Sequence, residues 1–190
     1  MSQPNTPAPP APGASISLDA AAIDRCLKRL AHEIIERNPD LTKVALVGIP
    51  SRGVHIAHRL AALVEQFENV RVFCGVIDVT MHRDDLHRHR IPPRVARTEL
   101  PPGLEDKTIV LIDDVLFSGR TCRAAMDSIS TFGRPARIQY AVLIDRGHRE
   151  LPIRADYVGK NIPTSLAQKV HARFQATDGI SDAVWISQAS

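Results

Sequence analysis

The sequence predicts an α/β fold with a mostly parallel central sheet flanked by helices. Three stretches are near-continuously apolar, as strands buried on both faces of a parallel sheet are: 43–49, 108–112 and 137–144. The first two are each followed by a short polar turn and a helical pattern, which is typical of strand–helix–strand crossovers. Open sheets of this kind bind ligands at the carboxyl ends of their strands. We therefore expect the turns after these strands to meet at one edge.

The composition predicts one domain with a mildly basic surface. A chain of 190 residues can bury a substantial core, and a net charge of +3 with a pI near 9.0 permits a polyanionic partner without requiring one. Three widely spaced cysteines, Cys26, Cys74 and Cys122, are expected to be reduced interior thiols. The longest apolar runs are strand-sized and no signal peptide is evident, so we expect a cytoplasmic protein with no membrane partner.

The N-terminal region is predicted to be a disordered tail followed by a helix. Residues 1–15 are rich in Pro and Ala and nearly uncharged, so the single domain is expected to span residues 16–190. Ser17 is the predicted N-cap of a helix that runs to about Arg37. The apolar face of this helix is formed by Ile23, Leu27, Leu30, Ile34 and Ile35.

The rest of the chain is predicted to alternate strands and helices. A polar, proline-interrupted segment at about 81–107 is too long for an ordinary connection, which favours a functional loop over a solvated basic one. After the strand at 137–144, an irregular segment leads to the C-terminal strands. The other predicted elements are a helix at about 54–67, a strand at 70–80, a helix at 122–130, and closing strands at 170–175 and 183–187.

Residues 108–126 combine a buried strand, two acids, a small polar turn and the start of a helix. Asp113 and Asp114 lie at the carboxyl end of the strand, and the turn Ser118–Thr121 leads into the helix. The backbone N–H groups of such a turn and the positive end of the helix suit a phosphate. Carboxylates repel phosphate, so they would serve ribose hydroxyls or Mg²⁺. A sugar phosphate satisfies both halves of the motif.

The alternative for this stretch is a buried strand that ends in solvated acids before an ordinary capped helix. The acidic pair alone favours that alternative, whereas the attached S-G-R-T turn favours the sugar phosphate. A Walker nucleotide loop is excluded because the sequence contains no G-x-x-x-x-G-K-[ST].

The stretch V-L-I-D-D-V-L-F-S-G-R-T at 110–121 resembles the phosphoribosyl-pyrophosphate (PRPP) signature of type I phosphoribosyltransferases. Residues 47–53, 77–86 and 142–165 narrow the resemblance to the bifunctional pyrimidine-operon regulator and uracil phosphoribosyltransferase family. The resemblance covers nearly everything after Ser17. It implies a type I phosphoribosyltransferase fold with a small hood, and the conversion of uracil and PRPP to UMP and diphosphate with Mg²⁺ carried by PRPP.

The family resemblance also implies roles for individual residues of the PRPP site. Asp113, Asp114 and Arg52 would be catalytic, and Arg83, Asp84 and Asp85 would belong to a flexible loop that closes over PRPP. This sequence departs from the family at three positions. Pro50 stands where the family often has a basic residue, Ser51 where Thr is usual, and His82 where Tyr is frequent. The implied phosphate-binding residues are Ser51, Arg52, Gly53, Val115, Leu116, Phe117, Ser118, Gly119, Arg120 and Thr121.

The segment at about 145–170 is where the resemblance places the nucleobase hood and an RNA-facing surface. Asp145 and Arg146 match the segment near the base, whereas an irregular, salt-bridged surface loop is the alternative from the residues alone. The family binds pyr mRNA leaders under the control of UMP or UTP and forms homodimers or higher homo-oligomers. A purine phosphoribosyltransferase would share the PRPP stretch but not Val142–Ser165. The implied RNA-binding residues are His32, Arg149, Arg154 and Lys160.

Overall fold

The computed structural model describes residues 16–80 and 97–188. The predicted tail at 1–15 lies outside the described residues, as do Arg83, Asp84 and Asp85 of the predicted loop. Within the two described ranges, no helix combines the length and the apolar character needed to cross a membrane.

A five-stranded parallel sheet forms the centre of the fold, and a three-stranded antiparallel sheet lies beside it. The strand orders are β3-β2-β4-β5-β6 and β1-β8-β7. The mostly parallel sheet with a small additional layer is as predicted. In chain order the elements are β1 (Ile16–Leu18), α1 (Ala20–Arg37), β2 (Val44–Gly48), α2 (Arg52–Glu68), β3 (Phe73–Val76), β4 (Thr108–Leu116), α3 (Arg120–Ser130), β5 (Arg137–Asp145), β6 (Tyr157–Asn161), β7 (Gln168–Arg173), α4 (Gln175–Asp178) and β8 (Ala183–Gln188).

The central strand β4 separates two apolar clusters, one on each face of the sheet. Val110 and Ile112 belong to the cluster that contains the buried faces of α1 and α2, and Ile109 and Leu111 belong to the cluster that contains α3. All four side chains are fully buried, because successive residues of a strand point to opposite faces and helices cover both of them. The near-continuous apolar run in the sequence is therefore explained by burial on two sides.

The N-terminus of the described chain differs from the prediction. Ser17 is not the N-cap of α1, because Ile16–Leu18 forms β1 and pairs antiparallel with β8. The N-cap is Asp19, whose carboxylate accepts a hydrogen bond from the Ala22 N–H at 2.7 Å. Three residues that pair with a strand at the other end of the chain leave no periodic signal in the sequence.

Strand β6 is a second element that the sequence did not predict. Tyr157 and Gly159 are buried, but Lys160 and Asn161 are exposed, so the strand lacks both an apolar run and a clean alternation. It pairs with β5 and closes one edge of the central sheet. Part of the segment at about 145–170 therefore belongs to the central sheet.

Candidate active site

Strand β4 carries the acidic pair at its carboxyl end. The strand does not stop at Ile112 but continues to Leu116, which pairs with Asp145 of β5. Consequently Asp113 and Asp114 point to opposite faces of the sheet. Asp113 is 7% exposed, whereas Asp114 is half-buried.

Asp113 is held in place by two hydrogen bonds. Its Oδ1 accepts the Asp114 N–H at 2.9 Å, and the Tyr140 hydroxyl donates to its Oδ2 at 3.3 Å. Burial and the neighbouring Asp114 carboxylate raise the pKa of Asp113 well above its usual range. Asp114 accepts the Val115 N–H at 3.0 Å. The two acids thus occupy different environments, one dry and one partly open to solvent.

The turn after β4 forms a small cradle. Gly119 has φ 92°, a left-handed conformation that favours glycine, and it precedes the first residue of α3. The cradle is a cavity of about 250 Å³, lined by Asp113, residues 115–121, Cys122 and Tyr140. All of the predicted phosphate-binding residues from Val115 to Thr121 therefore line one cavity together with Asp113. A helix N-terminus and a turn of backbone N–H groups can hold a phosphate here.

The segment after β5 forms hydrogen bonds with this turn. The Ser118 carbonyl accepts the N–H groups of Glu150 and Leu151 at 3.0 and 3.1 Å. Arg149 donates to the Phe117 carbonyl at 3.1 Å. The shape of the turn therefore depends on residues about 30 positions later in the chain.

The second predicted turn, Ser51–Gly53, packs against the end of β4. A Cβ atom on Gly53 would lie 2.3 Å from the Ile112 carbonyl oxygen and 3.3 Å from the Asp113 Cα, so only glycine fits. The Pro50–Ser51 peptide is cis. This contact places the predicted diphosphate turn beside the acidic pair, as expected for turns at the carboxyl ends of neighbouring parallel strands.

Arg146 connects the turn after β4 with the segment after β6. Its guanidinium lies 4.1 Å from the centre of the Phe117 ring and donates to the Thr164 hydroxyl and the Ser165 carbonyl, each at 3.0 Å. The Asp145 carboxylate accepts the Gly147 N–H at 2.9 Å and also binds Arg149. A cavity of about 480 Å³ is lined by Asp145 to Arg149, Asn161, Pro163 and Thr164. The predicted base-proximal residues therefore border a cavity adjacent to the turn after β4.

The predicted RNA-binding residues divide into two kinds. The Arg149 guanidinium is occupied within the chain, since it binds the Ile153, Phe117 and Gly147 carbonyls and the Asp145 carboxylate. By contrast, His32, Arg154 and Lys160 are exposed. His32 stacks on Phe67, with ring centroids 4.2 Å apart.

Two arginines of α1 were missed by the sequence interpretation. Arg25 and Arg29 line a cavity of about 350 Å³ together with Lys160. With His32, these arginines occupy positions 25, 29 and 32, which lie on one helical face. That spacing was readable from the sequence. The approach of Lys160 is not predictable in this way, because β6 has neither an apolar run nor a clean alternation.

Tyr140 was also missed, and its contact with Asp113 leads to a pH-dependent prediction. Replacing Tyr140 with Phe removes a donor that favours the ionised carboxylate, so the pKa of Asp113 should rise further. The acid limb of the pH profile of kcat/KM is therefore expected to move to higher pH. The charged and titratable groups around Asp113 are Asp114 on β4, Tyr140 on β5 and Cys122 on α3.

Tyr157→Phe is the matched control for this experiment. Tyr157 is also a buried tyrosine, and its hydroxyl accepts a hydrogen bond from the Asn38 amide at 3.2 Å, away from the acidic pair. Its loss should change stability and leave the pH profile in place. An equal shift of the acid limb in both variants would contradict the assignment.

Comparison with known proteins reveals extensive similarity. The family described as "Phosphoribosyl transferase domain" matches residues 17–177. The "Bifunctional protein PyrR" of Chloroflexus aurantiacus is 58% identical over 167 residues, 88% of this chain and 92% of the relative. The protein of the same name from a Roseiflexus species is 55% identical over 169 residues, 89% and 92% of the two chains.

A solved structure shows the same fold at low sequence identity. The hypoxanthine phosphoribosyltransferase of Trypanosoma cruzi matches with a TM-score of 0.69 and 19% identity, over 93% of this chain and 97% of that one. The predicted type I phosphoribosyltransferase fold is therefore confirmed.

Proposed function

Because the chain belongs to the phosphoribosyl transferase domain family, and within it to the bifunctional PyrR proteins, we propose that it joins uracil to PRPP and also regulates pyrimidine biosynthesis through RNA. The products of the reaction are UMP and diphosphate. One observation supports the enzymatic half most strongly. The cradle at 115–121, the acidic pair and the turn Ser51–Gly53 lie together at one edge of the sheet.

The proposed catalysis depends on orientation and electrostatics. The turn at 115–121 would hold the 5′-phosphate through backbone N–H groups, which fixes the ribose over the end of β4. Asp113 and Asp114 would accept hydrogen bonds from the ribose hydroxyls. Their negative charge would also favour the electron-deficient sugar carbon that develops as diphosphate departs. Arg52 would neutralise the departing diphosphate.

The proposed Mg²⁺ ion would arrive bound to PRPP. Within residues 16–80 and 97–188, no group of three or more His, Cys, Asp or Glu side chains is arranged to hold a metal ion. Mg²⁺ is commonly held by substrate phosphates and water with few protein ligands, so the absence of such a cage is compatible with a substrate-bound ion. When bound, the ion would neutralise charge on the diphosphate.

The regulatory half of the proposal is binding of pyr mRNA under the control of uridine nucleotides. Arg25, His32 and Lys160 form an exposed basic surface that suits the phosphates of a folded RNA. Arg29 lies beside them, but it is ion-paired with Glu33 and donates to the Val158 and Gly159 carbonyls. Exposed Arg154 is a further candidate. Arg149 would act by shaping the phosphate turn, because its donors are occupied within the chain.

Removing Lys160 should weaken RNA binding in a salt-dependent way. For Lys160→Gln we expect about tenfold lower affinity for a pyr leader RNA in the presence of UMP, since one charge-assisted contact to a phosphate is lost. The slope of log affinity against log salt concentration should fall by about one. Filter binding or fluorescence anisotropy over a salt series measures both quantities.

Lys43→Gln provides the matched control for Lys160. Lys43 is an exposed lysine before β2, at the opposite end of the sheet from the cradle, and pairs only with Asp40 at 3.7 Å among the described residues. Its loss changes the net charge equally and should leave RNA binding nearly unchanged. If wild-type protein bound no leader RNA even with UMP present, the regulatory half of the proposal would be refuted.

A further inference from the structure

Asp178, in the connection between β7 and β8 of the three-stranded sheet, binds Arg52 of the turn Ser51–Gly53. Asp178, at the end of α4, accepts Arg52 Nε at 3.1 Å on Oδ2 and Arg52 Nη2 at 2.5 Å on Oδ1. Arg173, the last residue of β7, places its Nε 3.4 Å from the same Oδ1. The Asp178 and Arg173 side chains are only 7% and 9% exposed. A buried carboxylate is therefore shared by two guanidiniums that come from different layers of the fold.

Asp178 is fixed independently of Arg52. Its Oδ2 accepts the Phe174 N–H at 3.0 Å and the Thr177 hydroxyl at 3.0 Å. Burial acts to raise the pKa of Asp178, but hydrogen bonds from Arg52 and the Phe174 N–H outweigh it, so that the pKa is lowered. The carboxylate thus remains ionised at neutral pH and offers Arg52 a rigid partner.

The pairing leaves Arg52 able to bind a second anion. A guanidinium has five N–H donors, and Asp178 uses those on Nε and Nη2. Within the described residues, Nη1 makes no hydrogen bond. Two guanidiniums against one carboxylate also leave a net charge of +1. Arg52 directly precedes Gly53, which packs against the Asp113 backbone, so this charge lies beside the acidic pair.

We propose that Asp178 is a positioning residue for the reaction: it locks the Arg52 guanidinium so that the remaining donors face the diphosphate of PRPP. The inference rests on the proposed function, in which Arg52 neutralises that group. A bidentate pair fixes the plane as well as the position of the guanidinium. The Arg52 side chain is therefore already ordered before PRPP binds, and little of the binding free energy is spent on ordering it. The small sheet therefore contributes to substrate binding although Asp178 does not touch the substrate.

A purely structural role for the pair would be to fasten the small sheet to α2. A second ion pair makes that connection seven residues further along α2: Arg59 Nη1 lies 2.6 Å from the Asp182 carboxylate, and both side chains are partly buried. Asp182→Asn therefore removes a comparable link without touching Arg52. It is the matched control for Asp178→Asn.

The test compares steady-state kinetics and diphosphate binding in the full-length chain. For Asp178→Asn we expect KM for PRPP and the dissociation constant for Mg²⁺-diphosphate to rise about tenfold or more, with KM for uracil nearly unchanged. Asp182→Asn should lower the melting temperature by a similar amount and leave all of these constants near wild type. In an Arg52→Gln background, Asp178→Asn should have no further effect on KM for PRPP, because the acid acts through the arginine.

Several outcomes would overturn the inference. The first is a wild-type KM for PRPP and a wild-type diphosphate affinity in Asp178→Asn. The second is an equal loss of diphosphate affinity in Asp182→Asn. The third is a further rise in KM for PRPP when Asp178→Asn is added to Arg52→Gln. If Asp178→Asn does not fold, Asp178→Glu takes its place: the longer side chain displaces the guanidinium, so KM for PRPP should rise more than about threefold, and an unchanged KM would refute the role. Absence of UMP formation by wild type would refute the proposed function instead, while the diphosphate titration would still decide the role of Asp178.

Discussion

Replacing Asp113 or Asp114 with Asn is expected to reduce kcat/KM for UMP formation by about 10²- to 10³-fold, the loss typical when one preorganised electrostatic contact to a transition state is removed. Each substitution keeps the volume of the side chain and removes its negative charge. The reaction develops positive character on the sugar carbon, so the lost charge matters more in the transition state than in the bound substrate. Initial rates with saturating uracil and varied PRPP measure the effect.

The stability of these variants separates catalysis from folding. Burial raises the pKa of Asp113, so ionising this group costs folding free energy as pH rises from the unfolded value through the folded one. Asp113→Asn removes that cost, and its melting temperature at neutral pH should equal or exceed that of wild type. Unchanged turnover in a folded Asp113→Asn or Asp114→Asn protein would contradict the catalytic assignment.

Asp127→Asn is the control acid for this pair. Asp127 lies on α3, where its exposed carboxylate binds Arg123 at 2.6 Å one helical turn away. The substitution removes the same charge from the helix that follows the cradle. Turnover should remain within about twofold of wild type, because an exposed pair of this kind contributes little.

The parallel sheet and the position of the site were predictable from the sequence for a physical reason. Strands β2, β4 and β5 are buried on both faces, so their sequences are near-continuously apolar and are followed directly by polar turns. Parallel strands connected by helices must bring those turns to one edge. The cradle at 115–121 and the turn Ser51–Gly53 meet beside Asp113 for this reason.

What the sequence did not predict depends on contacts between distant residues. Strand β1 pairs with β8 near the other end of the chain, and β6 has exposed residues at its end, so neither has a local pattern. The Tyr140–Asp113 and Arg52–Asp178 contacts join residues 27 and 126 positions apart. No spacing rule connects such pairs, because the fold alone determines which side chains meet.

The largest difference in kcat/KM between related substrates is expected when the base is changed. Solved structures that share the fold at 19% identity act, by name, on hypoxanthine, whereas relatives at 55–58% identity are bifunctional PyrR proteins. A site that hydrogen-bonds one ring edge rejects a base that leaves its buried polar groups unpaired. We therefore expect kcat/KM for uracil to exceed that for any purine base by at least about a hundredfold.

Initial rates of nucleotide formation from PRPP with uracil, hypoxanthine, guanine and adenine test the proposed function most directly. Wild-type protein, equal base concentrations and saturating Mg²⁺ are sufficient, and product chromatography identifies the nucleotide. UMP as the dominant product is the expected result. Faster formation of IMP, GMP or AMP than of UMP would contradict it.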